Sequence, residues 1–128
     1  MQKMNLPDTR PEAIVQRQLD AYNGRDIDAF MTNWAEDAQF FEHPATLLAS
    51  GAAAIRERHL LRFKEPNLHG KLIKRIAVGN KVVDQELVTR TFPEGTGTIE
   101  VIAIYEIENA RIAKAWFIMG PRTLDAKP

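Results

Sequence analysis

The chain has 128 residues, 45% hydrophobic and 27% charged, with 17 basic side chains balanced by 17 acidic ones. That is the composition of one globular domain, and a net charge of zero offers nucleic-acid phosphates no basic surface to release counterions against. Cysteine is absent, which excludes disulfides, thiolate nucleophiles and Cys-ligated metal centres. No apolar run approaches the ~18 residues of a membrane span, and "MQKMNLPDTRPE" lacks the apolar stretch of a secretory leader. A single domain over residues 1–128 is expected, with an ordered core of about 9–124. It should be cytoplasmic, with no membrane or nucleic-acid partner.

"TRPE" at residues 9–12 reads as a helix start, with Thr9 as cap, Pro11 in the first turn and Glu12 closing a capping box. Ile14, Val15, Leu19 and Tyr22 form its apolar stripe, and Asn23-Gly24 ends it. Asp26 then caps a second helix carrying Ile27, Phe30, Met31 and Trp34 at helical spacing. Residues 38–49 read as a short strand, a kink at Pro44 and a second extended piece, "TLLA". Ser50 is expected to cap a third helix over about 51–64, with Ala52, Ile55, His59 and Phe63 on one face.

From there the hydrophobic period becomes two, which predicts strands at about 68–78, 81–92, 97–108 and 111–119. Their turns are Gly79-Asn80, "PEGTG" and Glu108-Asn109. The expected architecture is α+β: three N-terminal helices packed on a curved antiparallel sheet. In "TIEVIAIYEI" and "IAKAWFIM" both strand faces are apolar: Ile99, Val101, Ala103 and Tyr105 lie opposite Ile102 and Ile104, and Ala113, Ala115, Phe117 and Met119 opposite Trp116 and Ile118. An antiparallel sheet covered on one side should be polar on the other, so a homodimer through the outer face is expected.

The stretch "FFEHP" places the only adjacent acid–base pair, Glu42 and His43, at the end of an apolar strand. A carboxylate or imidazole at an apolar wall suits a general base; a solvated pair capping the kink before Pro44 is the plainer alternative. Asp84, Glu86 and Arg90 share one strand face with Val82, Val88 and Phe92. If that face is concave, they could bind a polar ligand, or one carboxylate could act as a base held by Arg90; otherwise they are a salt-bridged surface network. His59 lies on an apolar helix stripe, as a catalyst or as a satisfied core residue. Arg58 and Arg62, four apart, could guard a pocket mouth or be solvated. Trp34, Phe40, Phe63 and Phe117 suit the core or the wall of a pocket for an apolar ligand. The three histidines lack ligand spacing, and neither a phosphate-binding glycine loop nor a nucleophile elbow occurs. No metal and no cofactor are expected.

"YNGRDIDAFMTNWAEDAQFFEHP", "SGAAAIRERH" and "IEVIAIYEIENARIAKAW" together resemble the nuclear transport factor-2-like (cystatin-like) fold. Within it the chain is similar to the branch holding ketosteroid isomerases and SnoaL-type polyketide cyclases. The resemblance implies a cone-shaped apolar pocket between helices and concave sheet, and often a dimer through the outer face. Ketosteroid isomerases pair an aspartate base with a tyrosine and a protonated aspartic acid. Here the base position falls on Glu42 or His43, the tyrosine position on Gln18 with Tyr22 one turn later, and the protonated-acid position on Ala103. The resemblance therefore implies a small-molecule-binding protein, either a cofactor-free isomerase, cyclase or dehydratase acting on an apolar, polyketide-like or steroid-like substrate, or a non-catalytic ligand-binding or accessory homodimer. A third reading is a protein-interaction dimer with a vestigial pocket.

Overall fold

The computed structural model describes residues 7–125. Residues 1–6, half of the segment in which no leader was found, lie outside them. Two helices come first, α1 (Pro11–Asn23) and α2 (Ile27–Met31), then strands β1 (Trp34–Glu42) and β2 (Thr46–Ser50), then α3 (Ala52–Arg62). Four long strands complete the chain: β3 (His69–Val78), β4 (Lys81–Phe92), β5 (Gly95–Glu108) and β6 (Arg111–Leu124). All six strands form one sheet in the order β2-β1-β6-β5-β4-β3. β1 runs parallel to β6, with Phe40 opposite Ala115, so the sheet is mixed and not purely antiparallel as expected. The helices are also not a contiguous N-terminal set, because β1 and β2 enter the sheet before α3.

Local chemistry explains where the element bounds depart from expectation. α1 begins after Arg10 without a side-chain cap, because Asp8 rather than Thr9 accepts the Arg10 N–H at 3.0 Å. Asp26 does cap α2, accepting from the Ala29 N–H at 3.1 Å. α2 lasts only five residues, since Thr32 and Asn33 side chains donate to the Ala29 carbonyl and draw the chain out of the helix. Trp34, expected on this helix, opens β1 instead. Gly51, not Ser50, precedes α3, at φ 90°, a backbone angle open to glycine and strained for serine. The last turn sits one residue later than expected, on Asn109 and Ala110 at φ 51° and 60°, the twist a two-residue hairpin prefers.

The core lies between the helices and one sheet face. Ile14, Val15, Phe30 and Ile55 from the helices meet Val82, Ala103, Tyr105 and Ala115 from the strands. Each large side chain buried there contributes about 2–3 kcal/mol. Asn23 clasps α1 to β3 by donating to the Gly70 carbonyl at 2.9 Å and accepting the Gly70 N–H at 2.8 Å. On the opposite face, Ile76, Val83, Ile104, Trp116 and Phe41 stand in cross-strand register, with the Trp116 and Phe41 rings stacked 5.7 Å apart. Both faces of the sheet are thus apolar, as the strand pattern predicted. Among the described residues no helix is long and apolar enough to cross a membrane.

Candidate functional site

A cavity of about 80 Å³ lies between α1, α3 and the inner face of β4–β6. One water needs ~10–15 Å³ on this scale, so there is room for several waters or a small organic ligand. Its wall is aromatic: Phe40 stacks on Phe117 with ring centroids 4.4 Å apart, and Phe30 lies 5.8 Å from Trp34. Leu19, Val88, Ile99, Val101 and Met119 complete the apolar lining.

Into this apolar space β4 projects Glu86, only 7% exposed. Burial, and then the charge of nearby Asp84, push its carboxyl up from 4.5 to about 7, while Arg75 pulls it back in part. Gly70 of β3 makes the space: a Cβ there would stand 2.9 Å from Glu86 Oε1 and 3.2 Å from Leu19 Cδ1.

Asp84 points the same way two residues earlier but stays outside the cavity lining. Arg75 grips it with two hydrogen bonds, 2.6 and 2.8 Å, and donates a third to Gln16 Oε1 at 2.8 Å. This cross-link ties α1 to β3 and β4 and fixes a negative charge beside Glu86.

His59 of α3 faces the cavity across the Phe30 ring, 4.6 Å between centroids. Its Nδ1 lies 2.7 Å from the Ile55 carbonyl oxygen. That oxygen can only accept, so Nδ1 carries the proton and Nε2 is left as an acceptor. Burial lowers the imidazole to about 4 despite that hydrogen bond, so it is neutral at physiological pH. Burial also drives the Tyr22 hydroxyl up to about 12 and that of Tyr105 well above its ordinary value. Both remain protonated donors. Gln18 Oε1 and Trp34 Nε1 are buried with no hydrogen-bond partner among the described residues. Buried polar atoms rarely stay unpaired, and these two belong to side chains that line the cavity.

Guanidinium groups stand where the cavity nears solvent. Arg58 lies over the Phe40 ring, 5.3 Å from its centroid. Arg90 pairs with Glu65 through two 2.8 Å hydrogen bonds, and Glu65 also accepts the Thr91 N–H at 3.0 Å. Burial opposes the Glu65 charge, but these bonds outweigh it and hold its carboxyl below the usual value. Arg62 reaches Glu65 Oε2 only at 3.5 Å.

An apolar cavity holding one buried acid, framed by an α1–α2 pair, a β1–β2 hairpin, α3 and four long strands, is the setting for the comparison with known proteins. Residues 15–115 match the SnoaL-like domain family. The chain is a SnoaL-like domain. Its fold is similar to that of an uncharacterized cystatin-fold protein from Novosphingobium aromaticivorans, at 23% identity and TM-score 0.79, covering 84% of this chain and 97% of that one. An NTF2-like protein from Cytophaga hutchinsonii matches at 16% identity and TM-score 0.75, over 94% and 96%. An LEH-like epoxide hydrolase from M. tuberculosis matches at 14% and 0.75, over 85% and 81%. A comparison with curated proteins finds no match.

In this SnoaL-like domain the expected site residues divide. Gln18, Tyr22, Trp34, Phe40, Arg58, His59, Glu86, Arg90 and Phe117 all line the cavity. Phe63 packs behind it, 5.5 Å from the Tyr22 ring and 5.4 Å from that of Phe30. Ala103 is buried between Asp84 and Phe117 in register and does not reach the cavity. The expectation that Glu42 or His43 faces the pocket is not met: both are exposed, and neither lines it. Phe40, the last buried residue of β1, meets the His59 ring of α3 at 5.5 Å. Beyond Phe40 the strand is half-buried and then exposed, and the His43 N–H donates to the Phe117 carbonyl at 2.9 Å. Arg90 does not hold a carboxylate in the cavity either, because Glu65 occupies its fork.

Tyr105 was not singled out, although it shares the Ile99–Val101–Ala103 face; in an apolar strand it reads as core. The pairing Arg90–Glu65 spans 25 residues, and no local pattern announces it; Arg75–Asp84 spans 9 and follows from the Gly79-Asn80 turn, which sets the two residues opposite each other. Among the described residues no three metal-ligating side chains converge.

Proposed function

We propose that this SnoaL-like domain binds an apolar or aromatic small molecule and moves a proton on it without a cofactor, as an isomerase, cyclase or dehydratase does. The observation that supports this is Glu86, a buried carboxyl at about 7 in an aromatic cavity. Near neutral pH such a group is present in both forms and can both take and return a proton. The Tyr22 and Tyr105 hydroxyls are donors for the oxyanion that forms when a C–H beside a carbonyl is deprotonated. His59 Nε2 offers an acceptor to orient a substrate hydroxyl. In this reading the base sits on β4, and the exposed Glu42–His43 pair takes no part in the chemistry.

α-Deuterium exchange of 2-tetralone in D₂O, followed by proton NMR, tests it. Catalysed exchange should rise with pH through about 7 and vanish in Glu86→Gln, while 2-tetralone binding stays within a few-fold. Equal catalysed exchange by Glu86→Gln sinks Glu86 as the base, and no exchange above the buffer rate in the wild type leaves a non-catalytic ligand-binding protein, the reading favoured by the non-donor Ala103 at the protonated-acid position. The apolar outer row of Ile76, Val83, Ile104, Trp116 and Phe41 supports a homodimer in either case.

A further inference from the structure

The guanidinium groups are more than the local carboxylates need. Arg58 and Arg62 are one helical turn apart on α3, an arrangement that is repulsive unless an anion intervenes. Arg90 approaches from β4, and all three line the cavity. Glu65 is the carboxylate paired with this group, and both its oxygens are taken by the Arg90 fork. Arg62 is left with a 3.5 Å approach to Glu65 rather than a direct hydrogen bond. Burial first, then the charge of Arg90, depress its guanidinium. Among the described residues no carboxylate forms a salt bridge with Arg58, whose neighbour is the face of Phe40. By contrast Arg56, on the same helix but away from the cavity, is paired with Asp28 at 2.8 Å. The unneutralised charge is therefore confined to the side of α3 that faces the cavity.

We propose that the compound taken by this cavity is a small aromatic or apolar acid, with its carboxylate received by Arg58 and Arg62 and its body lodged among Phe40, Phe117 and Trp34. This rests on the ligand-binding reading above and names the class of compound. A carboxylate matches the planar fork of each guanidinium, and with Glu65 taken by Arg90 the guanidinium groups of Arg58 and Arg62 are the two positive charges left for it to bridge. The ring beneath Arg58 adds a surface on which an aromatic acid can stack while its charge reaches the rim. Such a ligand would carry its anionic end toward solvent and its apolar end toward Glu86. The buried carboxyl would then face carbon rather than a like charge.

The test compares benzoate and 2-naphthoate with benzamide and 2-naphthamide by isothermal titration calorimetry, at low and at high salt. Acids should bind about tenfold more tightly than their amides, the scale of one charge-assisted contact, and the advantage should shrink with salt. Arg58→Gln and Arg62→Gln should each remove several-fold of it and the double variant all of it, with Arg58→Lys retaining part. Arg56→Gln, paired elsewhere, should change nothing. Thermal melts of each variant separate lost binding from lost folding. Amides binding as well as acids, or acids indifferent to both substitutions, would falsify the proposal. So would an absence of binding by every acid up to its solubility limit. In each of those cases an unchanged carbon-13 titration of Glu86 near 7 would leave the proton-transfer reading standing.

Discussion

Glu86 and His59 are both buried at the cavity, 7% exposed each, and their displaced titrations tilt stability in opposite directions. Glu86 goes from 4.5 in the unfolded chain to about 7 when folded. Its folded form therefore holds a proton that the unfolded chain has lost, and the stability this brings is fully present below 4.5 and gone above about 7. His59 goes from 6.5 to about 4. The unfolded chain binds that proton first, so stability is complete above 6.5 and lost as pH falls toward about 4. At ~1.36 kcal/mol per pH unit each displacement of about 2.5 units is worth about 3 kcal/mol. Between 4.5 and 6.5 the two slopes nearly cancel in the wild-type protein.

Single substitutions should unmask them. In Glu86→Gln the His59 slope stands alone, and stability should climb by about 3 kcal/mol from pH ~4 to ~6.5. In His59→Gln the Glu86 slope stands alone, and stability should fall by a similar amount from pH ~4.5 to ~7. Urea unfolding reads this directly: with a slope near ~1.5 kcal/mol per molar urea, each trend moves the midpoint by roughly 2 M. Only the pH dependence matters, so packing lost in either variant drops out. Parallel pH profiles for wild type and both variants would refute the argument that these two groups titrate from inside the cavity.

Gly70→Ala puts a methyl group against Glu86 Oε1 and Leu19; it should cost about 1–3 kcal/mol through overpacking and slow 2-tetralone exchange, both measurable on one preparation. Arg75→Met strands the Asp84 carboxylate, 1% exposed, and should destabilise by about 3–5 kcal/mol, with Arg75→Met/Asp84→Leu costing less than the single change. Because the Arg75 charge holds Glu86 down, carbon-13 NMR should find Glu86 titrating higher in Arg75→Met. Ile104→Lys places a charge in the middle of the outer apolar row; sedimentation velocity should show a dimer for wild type and a monomer for the variant.

Much of this molecule is written locally. The helical stripe Ile14, Val15, Leu19 lies in a 13-residue helix, and the period of two from residue 69 onward specifies four strands joined by tight turns, because side-chain direction follows from spacing alone. That spacing also put Asp84, Glu86 and Arg90 on one face, and made both faces of β5 and β6 apolar. It could not say which face the helices cover, and that choice decides whether Glu86 is a surface charge or a buried acid. Nor could spacing reveal that β1 joins β6 in parallel, that Glu42 and His43 lie exposed outside the cavity, or that Glu65 would claim Arg90. Glu65 and Arg90 lie 25 residues apart in the chain, and that pairing, with the Arg75–Asp84 bridge across the β3–β4 hairpin, turns three charges on one strand into a single buried proton donor and acceptor. Sequence set which residues share a face; tertiary packing set their solvation, and solvation determines where a carboxyl titrates.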